Sequence, residues 1–255
     1  MKIVTWNMRS KWDSLDGINE FMHRAGFAYE KIMQEKPDII GFQEVTQPIY
    51  DCLVRLLPEY DFFGTLRNQD YSGEGLFTAV RKEKCALLGL DIFWLSPTPY
   101  TAGSRFEEQS GCPRICVMTK IRNKSTNEVI RVLNTHLDHM FEQARVNGLQ
   151  CIFGCLDDCA KTEDLPVVLM GDFNAQKDSE SIQSIAQNTS LVEVTEAIEA
   201  TYHQFGKKTE KIKIDYIYVS PCLAGRTENV VCWTDERYGI YLSDHYPVCL
   251  TAIEE

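Results

Sequence analysis

The segment LPVVLMGDFNAQ, residues 165–176, constrains the fold of this chain more than any other. Its apolar run is long enough for one strand, and a continuous apolar run is typical of a strand buried on both faces. Asp172 and Asn174 follow the run directly, with Phe173 between them. We expect Phe173 to turn into the core. The chain therefore has to cover this strand on both sides and still present polar groups at its end.

Hydrophobic periodicity predicts alternating strands and helices along the chain. Helical spacing of apolar residues predicts helices over residues 17–35, 48–57, 141–160 and 179–186. Apolar runs and short alternating segments predict strands in MKIVTWN, PDIIGFQEV, YDFFGTL, GEGLFTAVRK, ALLGLDIFWLS, RICVMTKI, EVIRVLNTHL, PVVLMGD, KIDYIYVS, NVVCWT and YPVCLTAI.

The distribution of these elements indicates an α/β fold. The helices fall into two groups, and a stretch rich in hairpins separates them. This pattern suits a sandwich of two sheets with helices on the outer faces, in which each half of the chain contributes one sheet. No linker or repeat interrupts the sequence, so we predict one domain over residues 1–255.

Composition narrows the classes of partner. The chain has 44% apolar residues and a formal net charge of −11. An acidic chain is unsuited to holding duplex DNA by phosphate neutralisation alone. A nuclease is less disfavoured, because carboxylates that bind cations make a chain acidic while the cations supply positive charge at the phosphate.

The N-terminal segment and the cysteines bear on the compartment. No cleavable signal and no apolar run long enough to span a membrane is found, so we expect a cytoplasmic protein without a membrane partner or an obligate protein partner. The ten cysteines are then expected to be reduced thiols. Cys151, Cys155 and Cys159 form a stripe on the third predicted helix, but metal sites usually use CxxC pairs with a second cluster.

Polar residues recur at the ends of the predicted strands. Each of them alone has an ordinary explanation as a turn residue, a helix cap or a core histidine. An acid, two amides, two histidines and three aspartates at strand edges together indicate a functional site, because loops at such edges carry function on a rigid support. These residues are Asn7, Glu44, His136, Asp172, Asn174, Asp215, Asp244 and His245.

The motifs around these residues resemble a known superfamily. TWNMR, GFQEV, NTHL, GDFNA, KIDYIY and SDHYP occur in the order and spacing of the endonuclease/exonuclease/phosphatase superfamily, and the match extends over essentially the whole chain. FWLSPTP, NTHLDH and TYHQFG are most similar to the uncharacterised bacterial single-domain branch near nocturnin and the carbon catabolite repressor deadenylases. The resemblance implies a four-layer α/β/β/α sandwich of two mixed sheets flanked by helices, as in deoxyribonuclease I.

The resemblance also implies a divalent cation and the residues that bind it. Mg²⁺ binds through one or two carboxylates and keeps waters and substrate oxygens, and Mn²⁺ can replace it. By analogy with the family, Glu44 is the principal ligand. Asn7 and Asp244 complete or flank the metal shell.

Catalytic roles follow by the same resemblance. Asp172 would orient and deprotonate the attacking water, and Asn174 would hold that water or a phosphate oxygen. His245 would sit at the phosphate, oriented by Asp215. His136 would contact another phosphoryl oxygen, with Glu74 as the residue that orients it. We interpret all except Glu74, a supporting residue, as catalytic.

The remaining candidates are residues that contact the substrate. Arg9 and Arg114 either grip phosphate or are ordinary solvated arginines. We expect Arg9 and Asn174 to project to the same side as Asn7 and Asp172, because each lies two residues further along an extended chain. His139 and His203 match motifs of the bacterial branch and are expected at the pocket rim. Asp138 either assists a metal or pairs with an arginine.

These observations predict a Mg²⁺- or Mn²⁺-dependent phosphoesterase. The expected substrate is a small phosphorylated metabolite, a nucleotide or a single-stranded nucleic acid, since no basic stripe interleaved with aromatics is found. The choice between a diester and a monoester is left open. A duplex DNA nuclease is the alternative within the class. An alternative from another class is a binding module of the same fold that lacks catalysis.

Overall fold

Strands form the centre of the protein in the computed structural model, which describes residues 1–10 and 14–254. In chain order they are β1 (Lys2–Asn7), β2 (Ile39–Val45), β3 (Tyr60–Leu66), β4 (Gly75–Arg81), β5 (Cys85–Trp94), β6 (Ile115–Asn123), β7 (Val129–His136), β8 (Val167–Asp172), β9 (Val192–Glu193), β10 (Asp215–Val219), β11 (Thr227–Cys232), β12 (Glu236–Arg237), β13 (Ile240–Tyr241) and β14 (Val248–Ala252).

Helices lie between these strands, and α1 to α4 lie where helices were predicted. They are a 3₁₀ helix (Ser14–Asn19), α1 (Phe21–Glu35), α2 (Gln47–Leu56), α3 (Glu142–Ala160), α4 (Glu180–Asn188) and α5 (Pro221–Ala224). The first predicted helix is divided at Glu20, whose φ of −53° and ψ of 145° are not helical, and α1 begins after it. Gly17, where the prediction starts, is a kink inside the 3₁₀ helix with φ 56° and ψ −121°. The short elements β9, α5, β12 and β13 were not predicted, since segments of two to four residues carry no periodic signal.

Two six-stranded sheets are stacked in the protein. The first has the order β11-β14-β1-β2-β4-β3 and the second the order β5-β6-β7-β8-β10-β9. Each contains one parallel pair, β1 with β2 and β7 with β8, among antiparallel pairs. The predicted four-layer sandwich of two mixed sheets is therefore confirmed.

The expectation that each half of the chain builds one sheet is wrong. β14 pairs antiparallel with β1, with Lys2 opposite Thr251, and β11 pairs with β14. β1 pairs with β2 on one side, and the C-terminal strand β14 pairs with it on the other side. Both ends of the chain therefore meet in the first sheet, and the edge of β1 is not exposed.

Side-chain alternation defines the layers. In β1, Val4 and Trp6 pack against α1 and α2, whereas Ile3 packs between the sheets. In β8, Leu169 and the fully buried Phe173 pack towards α3 and α4, and Val168 and Met170 pack between the sheets. Successive residues of a strand point to opposite faces, so the odd positions of β1 and the even positions of β8 share the space between the sheets.

A polar bridge joins the two sheets within this space. The Gln43 side-chain amide on β2 donates to Asn134 Oδ1 on β7, at 2.8 Å. The Asn134 amide in turn donates to the carbonyl oxygens of Phe42 and Phe77, at 3.2 and 3.3 Å. Both amides are fully buried. Because a buried amide is costly unless it is hydrogen-bonded, this bridge fixes how the two sheets face each other at this depth.

None of the helices in the described residues is long and apolar enough to cross a membrane.

Gly171 sets the contact between β8 and β7 at the end of the strand. A Cβ at this position would lie 1.9 Å from the carbonyl oxygen of Thr135, and the residue has φ 152°. We expect Gly171→Ala to lower the free energy of unfolding by about 2–4 kcal/mol, because backbone would have to move. Urea denaturation measures this change.

Gly154 provides the matched control. It lies on an exposed face of α3, and a Cβ there would meet nothing within 4 Å. Gly154→Ala should stabilise the protein by roughly 0.5–1 kcal/mol through helix propensity. Equal effects of the two substitutions would contradict the role given to Gly171.

Candidate active site

The predicted site residues meet where the space between the sheets opens at one end. Asn7 continues the inner-facing positions of β1, and His136, Asp172 and Asp215 continue those of β7, β8 and β10. All four are at least nine-tenths buried. The strand-end residues therefore belong to one site that draws on both sheets.

Glu44 reaches this site through a backbone irregularity. The pairing of β2 with β4 shifts register between Phe42 and Val45, and Glu44 has φ 57°. Phe42 and Val45 both pack against the outer helices, so the extra residue turns Glu44 away from that face. Bulges next to active sites commonly redirect a side chain in this way.

The Asn7 side chain joins the two sheets at the site. Its amide nitrogen donates to Glu44 Oε1 at 3.0 Å and to Asp172 Oδ2 at 2.9 Å, and its oxygen accepts from the Arg9 amide at 2.9 Å. The predicted role of Asn7 was that of a metal ligand. Its nitrogen faces both carboxylates, so these hydrogen bonds orient Glu44 and Asp172. The metal role of Asn7 stays a prediction.

Ser10 holds the second oxygen of Glu44. The Ser10 amide donates to Glu44 Oε2 at 2.9 Å, and Ser10 Oγ lies 3.2 Å from the same oxygen and 2.8 Å from Glu74 Oε1. One hydroxyl has one proton, so Ser10 cannot donate to both carboxylates at once. Two carboxylates thus converge on one donor, which favours a cation in this region.

Glu74 does not have the partner predicted for it. Its carboxylate forms an ion pair with Arg67 at 2.6 Å as well as accepting from Ser10. The carboxylate that contacts His136 is Asp172, at 3.5 Å from His136 Nε2. Arg67 follows β3 and Glu74 precedes β4, so the turn between these strands places the two residues opposite each other. Their side chains form the ion pair.

Asp172 is the most constrained carboxylate of the site. Its Oδ1 accepts a hydrogen bond from the backbone amide of Asn174 at 2.9 Å, and its Oδ2 lies 3.8 Å from His245 Nε2. Burial and the charge of Asp215 raise the pKa of Asp172 to about 7. A carboxyl group with such a pKa accepts a proton near neutral pH more readily than an ordinary aspartate.

Asn174 lies at the site, but not as the extension of a strand. It has φ 50°, and its side-chain amide donates to the carbonyl oxygen of Leu137 at 3.0 Å. Arg9 similarly has φ 55°. The extended-chain argument for their direction was therefore wrong, although both residues line the same cavity. Non-glycine residues in the left-handed region are uncommon and cluster at functional sites.

His245 and Asp215 form a buried pair that spans the sheets. His245 Nδ1 lies 2.8 Å from Asp215 Oδ2. Burial lowers the pKa of His245, but the charge of Asp215 and its hydrogen bond outweigh that effect and raise the pKa to about 10. His245 is therefore an imidazolium at neutral pH. The predicted orientation of His245 by Asp215 agrees with this contact.

His136 has the opposite electrostatic state. Burial lowers its pKa well below the usual range, and the nearby positive charges of Arg114 and Arg67 lower it further. Within the site, His136 is therefore neutral while His245 is charged.

Arg9 and Asp244 lie at one wall of the site. The Arg9 guanidinium binds Asp16 at 3.2 and 3.3 Å and approaches Asp244 to 3.8 Å. Burial lowers the pKa of Arg9, but the hydrogen bond to Asp16 and the charge of Asp244 outweigh it, so the pKa is raised. Arg9 is held in place rather than freely solvated.

Arg114 and His139 also line the cavity and contact each other. Arg114 is 4% exposed, and its Nη2 lies 2.9 Å from His139 Nδ1. Its Nε and Nη1 have no hydrogen-bond partner among the residues that the structure describes, and its carboxylate contact with Asp138 is 3.8 Å long. Asp138 binds Ser110 and accepts from the amides of Met140 and Phe141 ahead of α3, so its role is to hold this loop.

His203 is placed away from the cavity lining. It stacks on Tyr246 with 3.8 Å between ring centroids, and its Nδ1 accepts from the Gly206 amide at 3.0 Å. Its exposed fraction is 6%, so the expected position at the rim is not found. Tyr202, the preceding residue, lines the cavity instead and packs beside His245 at 4.9 Å.

One cavity of about 430 Å³ collects these groups. Five of its lining residues were not among the predicted site residues: Ser10, Arg67, Cys112, Tyr202 and Ile214. Ser10 and Tyr202 directly follow motif residues, which was the available signal. Arg67 lies in a turn without any pattern.

Arg24 holds the backbone of the segment that carries Arg9, and it was not among the predicted site residues. It is 1% exposed and donates to the carbonyl oxygens of Met8, Arg9 and Leu242 at 2.7–2.9 Å. Burial lowers its pKa to about 10. An arginine on the apolar face of a predicted helix was the signal that could have revealed it.

Comparison with known proteins decides the family. The model of the Endonuclease/Exonuclease/phosphatase family matches residues 4–245. The chain belongs to this family. The resemblance inferred from the sequence motifs is thereby confirmed, and this family member is a hydrolase of ester bonds in the phosphatase and nuclease class.

Solved structures share the fold of this family member over nearly all of its length. The mannosyl-6-phosphatase Bt3783 of Bacteroides thetaiotaomicron has 24% identity and a TM-score of 0.89, with 100% of both chains covered. A functionally unknown conserved protein of Enterococcus faecalis V583 has 28% identity and a TM-score of 0.86, again with 100% of both chains covered. The human nocturnin catalytic domain with bound sulfate has 18% identity and a TM-score of 0.74, with 98% and 92% covered. No protein of curated function matches the sequence.

The donor groups of this Endonuclease/Exonuclease/phosphatase family member fit the divalent cation that the family usually binds. Among the described residues, two groups have donor atoms within 4.8 Å of one another: Glu44 with His136 and Asp172, and Asp172 with Asp215 and His245. The first group offers two carboxylates beside the crowded Ser10 hydroxyl. The second is already joined by the His245–Asp215 hydrogen bond. Carboxylate oxygens are the ligands that Mg²⁺ and Mn²⁺ prefer.

Asn7→Asp tests whether the carboxylates around Asn7 need positive charge. The substitution replaces the bridging amide by a third acid, so without divalent cations we expect the free energy of unfolding to fall by about 3 kcal/mol. Mg²⁺ should restore much of this loss. Thermal unfolding in EDTA and in Mg²⁺ measures both effects.

Asn229→Asp is the matched control, because Asn229 is exposed on β11. It should change stability little, with the same response to Mg²⁺ as the unsubstituted protein. If both variants respond to Mg²⁺ equally, the carboxylates around Asn7 do not form the cation site.

Proposed function

We propose that the protein is a Mg²⁺- or Mn²⁺-dependent phosphomonoesterase that acts on a small phosphorylated metabolite of the sugar-phosphate type. One observation carries the proposal: a single cavity of about 430 Å³ brings a proton-accepting carboxylate, a charged imidazole and a buried arginine to the same place. A cavity of this volume is in the range of small-molecule sites.

Arg114 and Arg9 are suited to hold the phosphoryl group. Both line the cavity. Arg9 is already hydrogen-bonded to Asp16, whereas the carboxylate contact of Arg114 with Asp138 is 3.8 Å long. The charge of Arg114 is therefore less directly paired than that of Arg9, and an arginine fork matches phosphate oxygens.

Asp172 is suited to activate water. Its raised pKa lets the carboxylate take the proton as the water oxygen bonds to phosphorus. The P–O ester bond breaks, and the leaving alcohol takes a proton from solvent. The backbone amide of Asn174 donates to Asp172 and so orients its carboxylate, and both residues line the cavity.

The two histidines would act on the phosphoryl oxygens in different ways. His245, charged and held by Asp215, would stabilise negative charge that develops in the transition state. His136, kept neutral by burial and by Arg114, would act as a hydrogen-bond donor rather than as a charge. The imidazoles thus contribute one charge and one hydrogen bond.

Glu44 is proposed as the principal metal ligand, with Asp172 and Asp244 near it in the cavity wall. A bound Mg²⁺ or Mn²⁺ would neutralise the phosphoryl oxygens and so lower the barrier to attack. Asn7 and Ser10 fix the direction of the Glu44 carboxylate by three hydrogen-bonding contacts, so the ligand is positioned before any cation binds.

The proposed substrate class is supported by charge, by cavity size and by one structural neighbour. The net charge of −11 disfavours a long polyanion that would lie across the surface. The Bacteroides neighbour that covers the whole chain is a mannosyl-6-phosphatase. A compact polyol that carries one phosphate suits both observations.

A hydrolysis screen tests the proposed function. The protein is incubated with Mg²⁺ or Mn²⁺ and hexose 6-phosphates, p-nitrophenyl phosphate, bis(p-nitrophenyl) phosphate, inositol phosphates, or single- and double-stranded DNA. We expect release of inorganic phosphate from the monoesters and loss of activity in EDTA. Cleavage of the diester or DNA alone would establish a nuclease instead. No hydrolysis of any substrate would favour the non-catalytic binding module.

Asp172→Asn and His245→Ala test the chemical step. Each should lower kcat by about 10³-fold or more while the protein stays folded. The control is Asp61→Asn, which changes an exposed carboxylate on β3. If either site variant keeps the activity of the control, the mechanism is refuted.

Arg114→Met tests the phosphate contact. We expect KM for a phosphomonoester to rise by about 30-fold, with a smaller change in kcat, because a buried charge that binds the substrate is lost. Arg114→Lys should fall between, since it keeps the charge without the fork. Arg105→Met, on an exposed arginine, is the control. An unchanged KM in Arg114→Met would exclude Arg114 from binding.

A further inference from the structure

The motif TYHQFG, residues 201–206, is not used by the proposed chemistry except for the cavity wall formed by Tyr202. It nevertheless lies between the two segments that carry the His245–Asp215 pair. Asp215 begins β10 in the second sheet, and His245 precedes β14 in the first sheet. The hydrogen bond of this pair therefore crosses from one sheet to the other, because β10 and β14 do not pair with each other among the described strands.

Thr201 contacts both segments at once. Its Oγ1 accepts from the amides of Ile214 and Asp215 at 3.0 and 3.1 Å. Its carbonyl oxygen accepts from the amide of Tyr246 at 2.7 Å. Thr201 is fully buried. One residue thus ties the backbone of Asp215 to the backbone next to His245.

The residues after Thr201 add to this connection. The amides of His203 and Gln204 both donate to the carbonyl oxygen of Asp244, at 2.9 and 3.1 Å. Tyr202 bridges to His245 on one side and to Ile212 on the other. The segment therefore acts as a short intervening strand between the two halves of the catalytic pair.

His203 supports the segment by packing. Its ring lies parallel to Tyr246 at 3.8 Å between centroids and tilted to Tyr241 at 4.9 Å. Because Gly206 N–H donates to Nδ1, the ring proton is on Nε2, and burial keeps the imidazole neutral. A neutral ring stacked on the residue next to His245 is suited to fixing that residue and not to binding phosphate.

From these contacts we infer that Thr201 is a positioning residue that holds His245 and Asp215 in register across the two sheets, with His203 as its packed support. The inference rests on the proposed function for its kinetic consequence. Its structural part, the protection of the Asp215 amide, can be measured without any activity.

Thr201→Val is the principal test variant, because it keeps the shape of the side chain and removes the hydroxyl acceptor. We expect the amides of Ile214 and Asp215 to exchange hydrogen faster, and kcat to fall by at least about tenfold with KM within about twofold, since a misplaced catalytic pair slows the chemical step without weakening binding. Thr201→Ser restores the acceptor and should recover most of kcat.

Thr119→Val is the matched control. Thr119 is fully buried in β6, and its hydroxyl donates to the carbonyl oxygen of Val132 at 3.2 Å, within the second sheet. This variant should lower the melting temperature about as much as Thr201→Val while leaving kcat unchanged. If the two variants have the same kcat, or if Thr201→Ser fails as fully as Thr201→Val, the inference is overturned.

His203 variants keep the inference testable if Thr201→Val does not fold. His203→Phe retains the stacked ring and should keep KM, whereas His203→Ala removes it and should lower kcat with KM unchanged. A rise in KM in both variants would instead make His203 a substrate contact and overturn its supporting role. An unchanged kcat in His203→Ala would overturn it as well.

The readouts separate this inference from the proposed function. If the unsubstituted protein hydrolyses no phosphate ester, the proposed function fails, while faster exchange at Asp215 in Thr201→Val still supports the structural part. If hydrolysis occurs and exchange at Asp215 is unaffected by the substitution, the positioning role fails and the proposed function stands.

Discussion

The site depends on one buried side-chain amide that contacts two carboxylates from different sheets. Asn7 donates to the half-buried Glu44 and to the buried Asp172, and each hydrogen bond offsets part of the cost of withdrawing a carboxylate from water. The amide orients both acids but does not neutralise their charge. The electrostatic demand that remains is for positive charge, which the neighbouring arginines and the His245 imidazolium supply and which a divalent cation at the proposed site would also supply. Fold and chemistry are therefore coupled through the spacing of the sheets.

The sequence was sufficient for the layers and for most of the site, for physical reasons that individual residues illustrate. Asn7 and Asp172 end apolar strands, and the period of two along a strand places them on the inner face together with the core. Glu44 was found from its motif, but the bulge that turns it inwards depends on pairing with β4 and leaves no local pattern. The 3₁₀ helix broken at Gly17 was read as helical periodicity, because apolar spacing does not report a left-handed φ.

The remaining errors concern partners rather than positions. Glu74 was predicted to orient His136, but its carboxylate forms an ion pair with Arg67. Arg67 lies in the connection between two strands, and no hydrophobic periodicity indicates the direction of that connection. Arg9 and Asn174 were placed by extrapolating extended strands, whereas both leave the strand with a positive φ. His203 was expected at the rim because it matches a motif of the bacterial branch, but stacking on Tyr246 buries it. Side-chain partners depend on which segments the tertiary fold brings together, and that information is distributed over the chain.

The amide bridge between Gln43 and Asn134 has a consequence for how the molecule tolerates change. Gln43 directly precedes Glu44, and Asn134 lies two residues before His136. Apolar packing is non-directional and accepts a range of volumes, whereas an amide hydrogen bond has one narrow optimum of length. The bridge therefore sets the distance between the two sheets at this position. Residues such as Ile39, Val132 and Met170 can drift among aliphatic alternatives during evolution while the width of the catalytic cleft stays constant.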